Sequence, residues 1–177
     1  MRGAENYGRA MFLLAEEIGK TEEVFSDLSS VCTALEREPE YARLLDNPAL
    51  AREERLSLID RTLSPVLAEV RDFIKYLSER RAVSTLPSAV AEFSALRDER
   101  LGIERVEAVT AVPMSEGQIG TLKARLAALT GKTVIIKNTV DPGILGGMKL
   151  RYSGVQLDGS VKTRLDKLEK QLSQIIV

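Results

Sequence analysis

The chain has 177 residues, 44% of them hydrophobic and 29% charged, which is enough for one medium or two small folded domains. Its formal net charge of −1 excludes a global electrostatic attraction to nucleic acid or acidic lipid and leaves only local patches for such contacts. There is no histidine and a single cysteine, Cys32, so the commonest neutral-pH base and metal ligand are missing and no internal disulfide can form.

The first segment, "MRGAENYGRAMFLLAEEIGK", holds a short apolar core that runs into Glu16 and Glu17, unlike a secretory signal. No apolar run in the chain approaches the roughly 20 residues that span a bilayer. Tyr7, Ala10, Met11, Leu14 and Ile18 form one helical stripe, and Phe12, Leu13 and Ala15 widen the apolar arc. An edge helix is apolar over about a third of its circumference. The wider arc leaves two readings open, a helix central in its bundle or a helix whose second side forms a groove for a partner's amphipathic helix.

Further stripes follow down to about residue 104. They are Val24, Leu28, Val31, Cys32 and Leu35; Leu56, Ile59 and Leu63; Val66, Val70, Phe73, Ile74 and Leu77; and Leu86, Val90, Phe93 and Leu96. Thr21 is expected to cap a helix beginning at Glu22, and Ser64 one with Pro65 in first position. The first half therefore reads as about six helices in a compact bundle, residues 1–105.

Beyond residue 105 the pattern changes. "VEAVTAV" is rich in β-branched residues. Ser115 is a plausible cap for a helix with Ile119, Leu122, Leu126 and Leu129 on one face, ended by Gly131. "KTVIIKNTV" is a strand by propensity. "GGMKLRY" and "VQLDG" read as a hairpin turning at Ser153-Gly154. A closing helix carries Val161, Leu165, Leu168, Leu172 and Ile175, a face that can fold back on the sheet or receive a partner. The expected class is α+β, an N-terminal six-helix bundle followed by a small α/β domain at 106–177 with a mostly hairpin-built sheet.

Candidate chemistry is sparse. Cys32 lies on an apolar stripe and reads as a small buried hydrophobe. The pairs Glu16-Glu17 and Glu53-Glu54 read as solvated helix-end charges. The glycine-dense run Val140 to Ser160 lacks the spacing of a P-loop, and its glycines lead into a strand where a dinucleotide fingerprint needs a helix. Gly131-Lys132-Thr133 closes a helix and opens a strand, the reverse of a Walker ending. The residues call for no cofactor and no metal.

The whole chain resembles the delta subunit of the F-type ATP synthase, the oligomycin-sensitivity conferral protein family. Tyr7, Gly8, Ala10, Met11, Phe12 and Ala15 match the family's opening pattern, and Leu45 and Pro48 its short-helix break. Phe73, Ile74, Leu77, Leu86, Pro87 and Phe93 match its fifth helix, Leu-Pro turn and sixth helix. Asp141, Pro142, Leu145, Gly146, Gly147, Arg151, Gly154, Asp158, Gly159, Ser160 and Leu165 fit its Asp-Pro…Gly-Gly…Gly…Asp-Gly-Ser…Leu signature, the most specific part of the match. Where the family often has Asn-Gly-Arg before the Leu-Pro turn, this chain has Arg80, Arg81 and Ala82.

The resemblance implies a non-catalytic stator subunit that links the catalytic head to the peripheral stalk. It implies binding of α-subunit N-terminal helices in a groove of the first domain, at Tyr7, Ala10, Met11, Leu14, Phe73, Ile74 and Leu77. It implies contact of the second domain with the b subunits, with no nucleic-acid partner and no direct membrane insertion. The expected location is peripheral to the cell (inner) membrane, at its cytoplasmic face. The alternatives are a nucleotide-binding enzyme using residues 140–160 and a free helical adaptor.

Overall fold

The computed structural model describes residues 2–144, 146–152 and 155–159. Among these it is α+β, with seven α-helices and a four-stranded mixed sheet. The chain divides into two compact units between Arg97 and Asp98, inside a helix that runs from Leu86 to Arg100.

The first unit is helical: α1 (Arg2–Glu17), α2 (Thr21–Arg37), α3 (Pro39–Asp46), α4 (Arg52–Thr62), α5 (Ala68–Glu79), a 3-10 turn at Val83–Thr85, and α6 (Leu86–Arg100). All six helices contribute to one core, with Phe93, Leu28, Leu45, Ile59, Ile74 and Leu77 fully enclosed. Phe93 organises the aromatic part of it. Phe12 meets its ring edge-on at 5.4 Å and Phe25 stacks on it at 5.9 Å, geometries that suit the ring quadrupole. Cys32 is buried in this core; burial first, and then the neighbouring Glu36 charge, push its thiol pKa up.

Side chains from distant elements tie the helix ends. Ser78 Oγ, fully buried, donates to the Leu45 carbonyl at 2.8 Å. Asp46 accepts from the Val83 N–H at 3.0 Å and the Ser84 N–H at 3.3 Å, and so caps the 3-10 turn. Asp27 of α2 accepts from the Leu67 N–H at 2.8 Å at the head of α5. Two expected caps are corrected here. Thr21 is already inside α2, which makes no side-chain cap, and α5 starts at Ala68 and not at Pro65. In the second case Asp27, forty residues away, supplies the acceptor that Ser64 was expected to provide.

Helix α5 ends in a Schellman motif. The Ala82 N–H reaches the Leu77 carbonyl at 2.9 Å and the Arg81 N–H the Ser78 carbonyl at 3.1 Å. That motif needs a left-handed residue at its turn, usually glycine. Arg81 holds it, at φ 53°, among the described residues the one non-glycine with positive φ. Arg81 therefore stands where this geometry favours glycine.

The second unit contains β1 (Ile103–Thr110), α7 (Glu116–Thr130), β2 (Thr133–Val140), β3 (Met148–Tyr152) and β4 (Val155–Asp158), in sheet order β2-β1-β3-β4. The sheet is not mostly hairpin-built as expected. β1 pairs parallel with β2 across the α7 crossover and antiparallel with β3, and only β3 and β4 are consecutive antiparallel neighbours. Val106, Ala108 and Val134 form the buried face of this sheet. Ser115 and Gln118 make a reciprocal capping box at the head of α7, and Gly131 closes it in the left-handed conformation. Leu129, expected on the inner face, is 82% exposed. At 3.6 residues per turn it is carried past the edge of the face centred on Ile119 and Leu126. The Ser153-Gly154 turn and the closing helix lie outside the described residues.

Candidate partner-binding site

The candidate groove is the seam between α1 and α5. Tyr7 and Tyr76 join the two helices, their rings edge to face at 6.0 Å, and the Arg80 guanidinium lies 4.9 Å over the Tyr76 ring. Helix α1 is pinned from its other side. Gly8 and Arg9 meet Ala89 and Glu92 of α6, while Phe12 meets Phe93. With one side used in this way, α1 still leaves Ala10, Leu13 (58%) and Leu14 (40%) in solvent. Tyr76 is exposed as well, at 41%.

The seven expected groove residues separate into two groups. Ala10 and Leu14 are exposed and Tyr7 and Phe73 half-buried, so all four present surface along the seam. Met11, Ile74 and Leu77 do not. They are 2%, 0% and 0% exposed and belong to the core. The reason is angular: Met11 shares the inward face of α1 with Phe12 and Ala15, and Ile74 and Leu77 share that of α5 with Val70, so these three support the seam from below. Sequence reasoning placed Leu13 in the widened apolar arc of α1 but left it, and Tyr76, out of the groove set. Tyr76 continues the Phe73 stripe at i+3, a signal that was present but overshadowed by Leu77.

The glycine-dense run is structural in its geometry. Asp141 makes the turn: its Oδ1 accepts from the Gly143 N–H at 2.9 Å and its carbonyl from the Ile144 N–H at 3.1 Å. Pro142 is exposed within this turn. Gly146 and Gly147 then lead directly into β3, with Gly147 at φ 80°, a conformation that a side chain would strain. Asp158 pairs with Lys149 at 3.6 Å, and the Gly159 N–H donates to the Met148 carbonyl at 3.0 Å. Ser160 lies outside the described residues. An open groove of about 770 Å³ runs beside Gly146, Gly147 and Met148 and is walled by Val112, Met114 and Leu122. The head of α7 borders it, but that helix end is occupied by its own capping box, and the glycines open no helix of their own. Among the described residues no group of three His, Cys, Asp or Glu side chains could hold a metal ion. No described helix is long and apolar enough to cross a membrane.

A helical unit with an open apolar seam, joined to a small α/β unit built around turns, defines a protein that acts by contact. The chain belongs to the ATP synthase delta (OSCP) subunit family, whose model matches residues 4–172. It is similar to the ATP synthase subunit delta of Clostridioides difficile (strain 630), 32% identical over 175 residues, covering 98% of this chain and 97% of that protein. It is equally similar to that of Anaeromyxobacter sp. (strain Fw109-5), 32% identical over 173 residues, with 97% of each covered. Among solved structures, its fold matches a chain of the Toxoplasma gondii mitochondrial ATP synthase hexamer with a TM-score of 0.72, 24% identity and 96% of each chain covered. The protein is thus a non-catalytic stator subunit of an ATP synthase.

Proposed function

We propose that this subunit ties the catalytic head to the peripheral stalk, so that the head is held still while the rotor turns. In this reading residues 1–105 are the family's six-helix bundle and receive the N-terminal helices of α subunits. Residues 106–177, completed by a closing helix, meet the b subunits. The complex would place the protein at the cytoplasmic face of the membrane.

The observation that carries the reading is the exposed seam of Ala10, Leu14 and Tyr76. Apolar side chains left in solvent side by side, on helices whose other faces are already packed, mark a contact surface. An amphipathic helix laid along the seam would cover them.

Titration calorimetry of the full chain with a peptide copying the α-subunit N-terminus tests this. Saturable binding is expected for the native chain, and its loss for Ala10→Glu with the helical circular dichroism unchanged. Native-like binding by Ala10→Glu would put the groove elsewhere. Failure of the native chain to bind at high micromolar peptide would remove the reading.

A further inference from the structure

Beyond the connector role, the structure assigns Lys137 a task in the free chain: it keeps the outer edge of the sheet from pairing with a second copy. The sheet order β2-β1-β3-β4 leaves β2 and β4 at the edges. An edge strand presents a row of unpaired N–H and C=O groups and so templates pairing with another chain. β4 is short, four residues, and ends in Asp158. β2 is the greater hazard. It runs for eight residues, Thr133–Val140, without proline or glycine. Val134, Ile135, Ile136 and Val140 give it the β-branched composition that favours pairing. Among the described residues no strand pairs with its outer side.

Lys137 is the one charged residue in this strand. Its polar neighbours are committed inward, toward β1. Asn138 donates to the Ala108 carbonyl at 2.9 Å and to Thr110 Oγ1 at 2.8 Å, and Thr139 Oγ1 donates to Glu107 at 3.0 Å. Lys137 is exposed and forms no ion pair among the described residues.

Symmetry decides what Lys137 would meet. Two copies of one strand pair antiparallel about a two-fold axis normal to the sheet. That axis keeps each face on its own side, and side chains alternate between faces along a strand. Opposite residues are therefore both odd-numbered or both even-numbered. Two registers give the longest overlap. One centres on Lys137 and sets Lys137 against its own copy. The other centres on Ile136 and sets Lys137 against Ile135 of the second copy, with the two lysines as diagonal neighbours. Direct neighbours stand about 5 Å apart and diagonal ones about 7–8 Å, and like charges so placed oppose pairing. Both favourable registers thus meet the same repulsion, from one residue.

The test compares the full chain with variants by size-exclusion chromatography with light scattering at high micromolar concentration. The native chain is expected to run as a monomer. Lys137→Val should self-associate at least roughly tenfold more tightly, as a dimer or larger species. Lys137→Glu, which keeps a like charge in place, should stay monomeric by itself. Mixed with the native chain at low salt it should form a heterodimer that fades as salt rises, because lysine then faces glutamate. Adding Ile135→Lys to Lys137→Val returns a charge to the same strand and face and should restore the monomer. A native chain that self-associates, a Lys137→Val chain that stays monomeric, a mixture that associates no more than its components, or a dimer that survives Ile135→Lys overturns the inference. Each of these outcomes leaves the connector reading, which the peptide titration tests, untouched.

Discussion

Gly8 of α1 lies against the Ala89 carbonyl of α6 so closely that a methyl group at position 8 would overlap the backbone and come within 2.8 Å of the Glu92 Cβ. This contact fixes which side of α1 faces inward and, with it, which side is left to form the seam.

Gly8→Ala should therefore destabilise the protein, although alanine is the better helix former by about 1 kcal/mol. The obstruction is backbone and cannot swing aside, so overpacking should outweigh the propensity gain by about 1–3 kcal/mol. Urea unfolding checks this. A neutral or stabilised variant would mean that α1 and α6 are further apart.

Arg81 should respond in the opposite direction. Arg81→Gly relieves a left-handed residue inside a Schellman motif, and a gain of about 0.5–1 kcal/mol is expected after glycine's own entropy cost. Arg80→Gly, one residue earlier at φ −86°, should lose stability instead. Thermal melts of the two variants side by side give the comparison.

Ser78→Ala removes the buried bond to the Leu45 carbonyl and leaves that acceptor without its hydroxyl partner. A loss of about 1–3 kcal/mol is expected. Since Ser78 has no exposed surface, binding of the α-subunit peptide to the folded variant should be unchanged.

One acid-side effect can be assigned a sign. Arg97 donates to both carboxylate oxygens of Glu22, at 2.7 and 2.5 Å, and this hydrogen bonding holds the Glu22 pKa below its usual 4.5. A depressed folded-state pKa gives stability that is present above the unfolded value and is lost as pH falls through the folded one. Glu22 is 63% exposed, so the contribution is below about 1 kcal/mol and should shrink with salt. Comparing Glu22→Gln with the native chain at pH 7 and pH 3 should show a difference that narrows on acidification. A constant difference would assign the effect to packing alone.

Much of this architecture was legible in the sequence, because stripes such as Val24, Leu28 and Val31 are local signals of the face that a helix buries. The cap at Ser115 and the end at Gly131 were legible because capping residues are local signals too, though the reciprocal bond from Gln118 was not read. What was hidden depends on residues far apart in the chain. Nothing near Leu67 announces that Asp27 will cap α5, and nothing in "VEAVTAV" tells whether its neighbour will be parallel. The seam was only partly legible. Periodicity marks Tyr7, Met11, Leu14, Ile74 and Leu77 alike as apolar. It takes the packing of α1 against α6 to decide that Met11 points in and Leu14 out. Arg55, only 8% exposed in α4, carried no signal that would have placed it there.

The account stands or falls on bridging. The direct measurement mixes a catalytic head with a b-subunit fragment, with and without this chain, and follows them by size-exclusion chromatography with light scattering. The head and the stalk fragment should co-elute only when the chain is present, and Leu14→Glu should keep the stalk fragment while losing the head. Head and stalk eluting apart in the presence of the native chain would contradict the account.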